Sequence, residues 1–182
     1  PLVLLIGGTV AAGKSTIATE IANLLEIVRI QSTDILREVM RMMIPERLLP
    51  VLHTSSFDAW KKLPIEDKQD RDWDQLVAEG YRSQAELLAV PCEAVLQRAV
   101  EENVPIIMEG VHVHPDLLDL VPDDEEVIKV YAMLAVLKSK KIKSRLKDRG
   151  ADEPQRKPER YLENLESIWS LQSFLLSEAD RC

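Results

Sequence analysis

Residues 8–15, Gly8-Thr9-Val10-Ala11-Ala12-Gly13-Lys14-Ser15, match the phosphate-binding pattern G-x-x-x-x-G-K-[ST] at every fixed position. The loop follows the continuously apolar residues 2–6, which is the pattern of a buried parallel strand. A chance match in a Gly- and Ala-rich turn is disfavoured, because the motif needs a strand before it and a helix after it. The helix is predicted from an apolar face at helical spacing, formed by Ile17, Ile21, Leu24 and Leu25.

Each residue type in this loop has a physical reason. Glycines let the backbone curl so that N–H groups point at phosphate oxygens, and the helix that follows adds the positive end of its dipole. Lys14 would reach the β- and γ-phosphates, and the Ser15 hydroxyl would be a ligand of Mg²⁺. We therefore expect a nucleoside triphosphate and Mg²⁺ to be bound by Gly8, Thr9, Val10, Ala11, Ala12, Gly13, Lys14, Ser15 and Thr16.

Length and composition predict one soluble domain over residues 1–182, with 46% hydrophobic and 30% charged residues. No apolar run is long enough for a membrane span, and the opening residues are too short for a signal peptide, so a cytoplasmic location is the default expectation. Cys92 and Cys182 are distant and show no metal-ligand spacing, which disfavours a disulfide framework or a zinc site. The net charge of −8 argues against a nucleic-acid partner.

The charge is unevenly distributed along the chain. Residues 137–160 contain ten basic and four acidic residues, a local net charge of +6 against −14 for the rest. Such a basic segment suits a small anionic ligand, although a solvated charged helix would look the same. We expect this segment to form a helical lid.

Predicted strands alternate with predicted helices along the chain. The strands fall at residues 2–6, 28–30, 105–108 and 127–134, with a long helix over 67–102, kinked or split at Pro91, and a final helix over 158–179. This alternation predicts a three-layer α/β fold with a parallel sheet flanked by helices. Ligands bind at the carboxyl ends of such strands, where the P-loop, Asp34 and Glu109 all lie.

Two absences narrow the class of nucleotide-binding protein. The sequence has no Asn-Lys-x-Asp motif for guanine and no apolar strand ending in Asp-Glu, which GTPases and motor ATPases respectively would show. Carboxylates placed like Asp34 and Glu109 are typical of small-molecule kinases.

Several segments resemble the 2-phosphoglycerate kinase family in that family's order. Besides the P-loop, they are Ser32-Thr33-Asp34-Ile35-Leu36-Arg37-Glu38, Leu52-His53-Thr54-Ser55-Ser56-Phe57, Gly80-Tyr81-Arg82-Ser83-Gln84, Glu109-Gly110-Val111-His112 and Pro158-Glu159-Arg160-Tyr161. The resemblance implies transfer of the ATP γ-phosphate to 2-phosphoglycerate, giving 2,3-bisphosphoglycerate. Related kinases usually have a fifth strand whose flanking loop helps hold the adenine. The sequence shows no such strand, so no adenine-binding residues are assigned.

The resemblance also suggests catalytic roles, beside a plainer alternative for each residue. Asp34 would act as general base or hold Mg²⁺ through water, or would only cap a helix. With Lys14, the catalytic set includes lid arginines, among which Arg149 and Arg160 rank ahead of Arg145 and Arg156.

The candidate acceptor-binding residues are polar side chains outside the P-loop. They are Arg37, Arg41, His53, Thr54, Ser55, Ser56, Glu109 and His112. The two arginines lie one helical turn apart and could grip a carboxylate or phosphate, or be surface charges. Residues 53–56 form a hydroxyl-rich loop that could bind substrate or form a turn. Glu109 could hold Mg²⁺ through water or form a salt bridge. Another acceptor (a sugar acid, polyol phosphate or nucleotide) and a non-catalytic ATP-binding module remain as alternatives.

Overall fold

The computed structural model describes residues 1–65, 67–152 and 158–181, with the side chains of residues 69, 148–152 and 158 outside the description. Its centre is a parallel sheet of β1 (Leu2–Gly8), β2 (Ile30–Ser32), β3 (Ile106–Gly110) and β4 (Ile128–Leu134). The strand order is β2-β3-β1-β4. The predicted parallel α/β fold is therefore confirmed.

Six α-helices surround this sheet in the described residues. Their bounds are α1 (Lys14–Leu24), α2 (Thr33–Met43), α3 (Trp73–Glu101), α4 (Ser139–Asp152), α5 (Pro158–Glu163) and α6 (Leu165–Ala179). Short 3₁₀ helices occur at Pro50–His53, Ala59–Lys62, Lys68–Asp70 and Pro115–Leu118. No described helix is both long enough and apolar enough to cross a membrane.

The central strands are buried on both faces, as their continuous apolar sequence predicts. On one face, Leu4 and Ile6 pack against α1. On the other, Val3 and Leu5 pack with apolar residues of α3. The register pairs Gly7 with Gly110 and Ser32 with Glu109, so the ends of three strands meet at one edge of the sheet.

The predicted buried face of α1 was wrong at three of its four residues. Ala18 and Ala22 are the buried residues of this helix, whereas Leu24 is 81% exposed and Ile17 and Leu25 are also exposed. Ile21 is partly buried and packs against the same core as the two alanines. Small side chains let the helix lie close to the sheet.

Strand β2 begins two residues later than predicted. After α1 the chain turns at Glu26, which has a φ of 55°, and Ile27 is buried against the α1 side of the sheet. Val28 is consequently 91% exposed, and pairing with β3 starts only at Ile30. The apolar character of Val28 was therefore misleading.

The long helical regions also differ from the prediction. α3 begins at Trp73 because the Asp72 side chain accepts a hydrogen bond from the Gln75 amide, and the helix continues unbroken past Pro91. Leu88 and Cys92, on either side of the proline, are fully buried, so packing against the core favours a continuous helix although Pro91 has no N–H donor. The expected final helix is divided at Asn164, whose side-chain amide donates to the Arg160 carbonyl.

Candidate functional site

The P-loop has the backbone conformation of an anion cradle. Ala11 and Gly13 have positive φ values of 62° and 97°, and α1 begins directly afterwards at Lys14. No side chain caps this helix, and its first turn contains no acidic residue. The first-turn amides have no acceptor within the helix, so they and the helix dipole are available to an anion.

Gly8 is required for a close approach rather than for the cradle itself. Its φ is 146°, and a Cβ atom there would collide with the carbonyl of Leu134 at the end of β4. The loop can therefore leave β1 only because residue 8 has no side chain.

Lys14 lies in a charged but poorly solvated position. Its Nζ donates to the Thr9 carbonyl at 2.9 Å. Burial lowers the pKa of Lys14, while the carboxylates of Asp34 and Glu109 act in the opposite direction. The ammonium group is thus held at the P-loop by a neutral oxygen, with two carboxylates close enough to influence it.

Two carboxylates face the loop from the neighbouring strand ends. Glu109, the penultimate residue of β3, is buried and accepts a hydrogen bond from the Ser15 hydroxyl at 3.1 Å. Asp34 lies in the first turn of α2, where Ser32 is the N-cap and accepts from the Asp34 amide at 3.3 Å. Because Ser32 is the N-cap of α2, the Asp34 carboxylate is not needed to cap the helix and can contact a ligand in the cavity.

These groups line one open cavity of about 750 Å³. This volume is in the range of small-molecule sites. Its lining combines the P-loop and the start of α1 with residues from five other segments. The lining residues are Val10, Ala11, Ala12, Gly13, Lys14, Ser15, Thr16, Ile17, Asp34, Arg37, Ser55, Ser56, Phe57, Glu109, Val111, Arg145 and Tyr161.

The two arginines of α2 differ in position. Arg37 lines the cavity and donates to the Thr54 carbonyl at 2.9 Å, with a longer 3.5 Å contact to exposed Glu38. Arg41 is outside the lining and donates to Glu38 at 2.7 Å. The structure therefore separates the pair that helical spacing had grouped.

The residues of the hydroxyl-rich loop, 53–56, also differ in position, because only some of them line the cavity. His53 contacts the carbonyl of Ile44 through Nε2 at 2.7 Å, at the C-cap of α2. Thr54 contributes its main-chain carbonyl to Arg37, whereas Ser55 and Ser56 line the cavity. His53 therefore contacts the C-terminal end of α2, whereas the two serines are positioned to contact a ligand in the cavity.

His112 is buried outside the cavity lining, 2.9 Å from Gln84 Oε1 through its Nε2 atom. Burial lowers the pKa of His112 to about 3, with the charges of Arg37 and Lys14 acting in the same direction. The ring is therefore neutral at physiological pH.

The basic segment places a different arginine at the P-loop from those ranked first. Arg145 of α4 donates to the carbonyls of Ala11 and Ala12 at 3.1 and 3.4 Å. Arg160 lies 3.6 Å from Asp58, outside the cavity lining. The side chain of Arg149 and all of Arg156 lie outside the described residues.

Comparison with known proteins agrees with the motifs quoted above. No protein-family model matches the sequence. A 2-phosphoglycerate kinase of Pyrococcus furiosus is 36% identical over 179 residues, 98% of this chain and 56% of that protein. The one of Methanopyrus kandleri is 36% identical over 99% of this chain and 54% of its own length, and that of Methanothermobacter thermautotrophicus is 42% identical over 66% and 39%.

The chain is a relative of the 2-phosphoglycerate kinases. The resemblance expected from the sequence is thereby confirmed. The chain spans about half the length of the curated 2-phosphoglycerate kinases that it matches most fully.

The sequence-based prediction ranked Arg145 too low and gave no site role to four other residues of the cavity lining, Ile17, Phe57, Val111 and Tyr161. A partial signal was present, since Ile142 and Leu146 are apolar residues of a strongly basic segment and both are buried. By sequence spacing, Arg145 and Arg149 each follow one of these residues by three positions, so this pattern does not rank Arg145 first.

Proposed function

We propose that this protein is an ATP-dependent kinase that transfers the γ-phosphoryl group to the hydroxyl of 2-phosphoglycerate, giving 2,3-bisphosphoglycerate. One observation carries the proposal. Lys14, Arg37 and Arg145 surround a single cavity, and each donates to main-chain carbonyl oxygens. Because these oxygens are neutral, and the contact of Arg37 with exposed Glu38 is long at 3.5 Å, the three positive charges remain available to a ligand with several anionic groups.

The P-loop side of the cavity suits the triphosphate of ATP. The uncapped first turn of α1 offers main-chain donors, and Lys14 offers a positive charge beside them. The hydrogen bond between Ser15 and Glu109 brings together a hydroxyl and a carboxylate, the hard oxygen donors that Mg²⁺ prefers. These two residues would hold Mg²⁺, with Asp34 acting through water. When bound, Mg²⁺ would neutralise charge on the β- and γ-phosphates.

The acceptor would bind on the side of α2 and the hydroxyl-rich loop. Arg37 suits the carboxylate or phosphate of 2-phosphoglycerate, and Ser55 and Ser56 offer neutral donors next to it. Asp34, on the same helix as Arg37, would accept the proton of the attacking hydroxyl. A bond then forms between that oxygen and the γ-phosphorus, and the bond from the γ-phosphorus to the bridging oxygen of ADP breaks.

Helix α4 would serve as the lid over the phosphates. Arg145 already lies on the P-loop carbonyls of Ala11 and Ala12, where it can move to a phosphate oxygen without a large displacement of its helix. Its charge would stabilise the phosphoryl group during transfer.

The direct test combines the protein with ATP, Mg²⁺ and 2-phosphoglycerate, and measures both ADP and a bisphosphate product. Glycerate, 3-phosphoglycerate, a polyol phosphate and a nucleotide serve as alternative acceptors. Each acceptor is supplied separately, because transfer to the C2 hydroxyl of 3-phosphoglycerate would give the same bisphosphate, and faster turnover of 2-phosphoglycerate than of any other acceptor is expected. ATP binding without transfer to any acceptor would contradict the kinase proposal, and preference for another acceptor would contradict the substrate.

Replacing Lys14 with alanine tests the P-loop in the same assay. Loss of one charged donor at the transferring phosphate should lower kcat by about 10²- to 10³-fold or more. Lys62→Ala is the matched control, because Lys62 is exposed and its ion pair among the described residues is with Glu46, outside the cavity lining. A Lys14→Ala protein that keeps most of its activity would refute the assigned role.

A further inference from the structure

Gln84 is fully buried in α3 and lies outside the cavity lining, yet its amide group connects three other segments. Its Nε2 atom donates to the carbonyl oxygens of Val51 and Thr54. Its Oε1 atom lies 2.9 Å from Nε2 of His112, which follows β3. The amide thus joins α3 to the loop before Ser55 and to the end of the central sheet.

The hydrogen-bond chemistry of this amide has one consistent assignment. Both partners of its nitrogen are carbonyl oxygens, which only accept hydrogen bonds, so the nitrogen must face them and Oε1 must accept from His112. Nε2 of His112 therefore carries the ring proton, and Nδ1 has no hydrogen-bond partner in the described part of the chain. The Tyr81 ring lies parallel to the His112 ring, with centroids 5.9 Å apart, which restricts its rotation.

The carbonyl of Thr54 has a second donor that reaches the cavity. NH1 of Arg37 donates to it at 2.9 Å, while Nε2 of Gln84 donates to it at 3.0 Å. Ser55 and Ser56 follow directly in the sequence and line the cavity. The position of the main chain at residue 54 consequently determines the position of the Arg37 guanidinium and of the Ser55 and Ser56 hydroxyls.

We infer that Gln84 is a positioning residue for the acceptor side of the site, which it orders by holding the carbonyls of Val51 and Thr54. This inference rests on the proposed function, because it assigns Arg37, Ser55 and Ser56 to the acceptor. A side-chain amide supplies two donors and one acceptor without a charge, so few other side chains could make the same hydrogen bonds at this position. Glutamate would set a carboxylate oxygen against two carbonyls. Methionine would remove the hydrogen bonds to all three partners and leave the Thr54 carbonyl with Arg37 as its donor.

Hydrogen exchange tests the positioning without any acceptor. Gln84→Glu and Gln84→Met are compared with the native protein and with Gln75→Glu, the same substitution at an exposed position of α3. Amides in residues 50–58, including those of Leu52 and Asp58 that donate within this loop, should exchange about 10- to 100-fold faster in both Gln84 variants. Residues 8–20, which contain the P-loop, should exchange at the native rate.

Steady-state kinetics then test the connection with the acceptor. The KM for 2-phosphoglycerate should rise about 10- to 100-fold in both Gln84 variants, with the KM for ATP unchanged. In Gln84→Glu the rise should be smaller at pH 6 than at pH 8, because the protonated carboxyl regains one donor. A purely structural defect would change both KM values together.

The possible outcomes separate this inference from the proposed function. If the native protein neither binds nor phosphorylates 2-phosphoglycerate, the proposed function fails, and the exchange rates alone decide the role of Gln84. Native exchange in residues 50–58, or equal acceleration of the P-loop, would overturn the inference. So would local acceleration accompanied by an unchanged KM for the acceptor.

Discussion

Replacing His112 with glutamine should make the protein less sensitive to acid. In the native chain the buried ring has a pKa of about 3, against 6.5 for an unperturbed histidine. Between these values the unfolded chain binds a proton that the folded chain does not, so the free energy of unfolding falls as the pH falls below about 6.5. Above that pH the ring is neutral in both states and has no pH-dependent effect.

The size of the effect follows from the two pKa values. Each unit of difference is worth about 1.4 kcal/mol, so at pH 5, about 1.5 units below the pKa of the unfolded chain, the native protein loses about 2 kcal/mol relative to pH 8. Glutamine can still donate to Oε1 of Gln84 and does not ionise in this range, so His112→Gln should lack this loss. His53 and His114 are present in both proteins, and their contributions cancel in the difference.

Urea unfolding at pH 8 and pH 5, followed by tryptophan fluorescence, measures this difference. The native protein should lose about 2 kcal/mol more than His112→Gln between the two pH values, with the same dependence on urea concentration. Losses that agree within about 0.5 kcal/mol would show that the ring ionises without penalty, which would refute its neutral, buried state.

Two further substitutions test the lid and the core. Arg145→Ala should lower kcat by about 10³-fold or more, and Arg160→Ala by less than about 10-fold, because of these two residues only Arg145 contacts the P-loop. A larger loss for Arg160→Ala than for Arg145→Ala in steady-state kinetics would reverse this assignment. Gly80→Ala should destabilise the protein by about 1–3 kcal/mol in urea unfolding, despite the better helix propensity of alanine, because its Cβ would lie closer than 3.0 Å to the main chain of Trp60. An unchanged or increased stability would show that the 3₁₀ helix Ala59–Lys62 can move away from α3.

The sequence was sufficient for the two central strands because each of them carries its own signal. Residues 2–6 and 105–108 are apolar without interruption, and parallel strands buried on both faces require this pattern. The position of β2 was missed because it has only three residues, and its edge location leaves Ile30 exposed. The face of α1 was missed because burial favoured small residues, so the contact distance to the sheet outweighed hydrophobicity.

The site was predictable where its residues are consecutive and less so where they come from several elements. Lys14 and Ser15 could be placed from a local motif whose geometry follows from glycine and the start of a helix. Arg145 could not be ranked above Arg160, because the choice depends on how α4 and α5 pack. No local pattern could have predicted that His53 contacts the Ile44 carbonyl or that His112 contacts the Gln84 amide.

The P-loop and the residues around Thr54 differ in how many parts of the chain build them. The phosphate cradle is built by one short loop, so it is preserved wherever that loop is preserved. In the proposed function, the acceptor side depends on a carbonyl shared by Arg37 and Gln84, and through Gln84 on His112 in the buried interior. A substitution in that interior would therefore displace Arg37 and Ser55 without altering any residue of the P-loop. Relatives with identical P-loops could differ in acceptor for this reason, and residues 37, 54, 84 and 112 are the positions at which such differences should be sought.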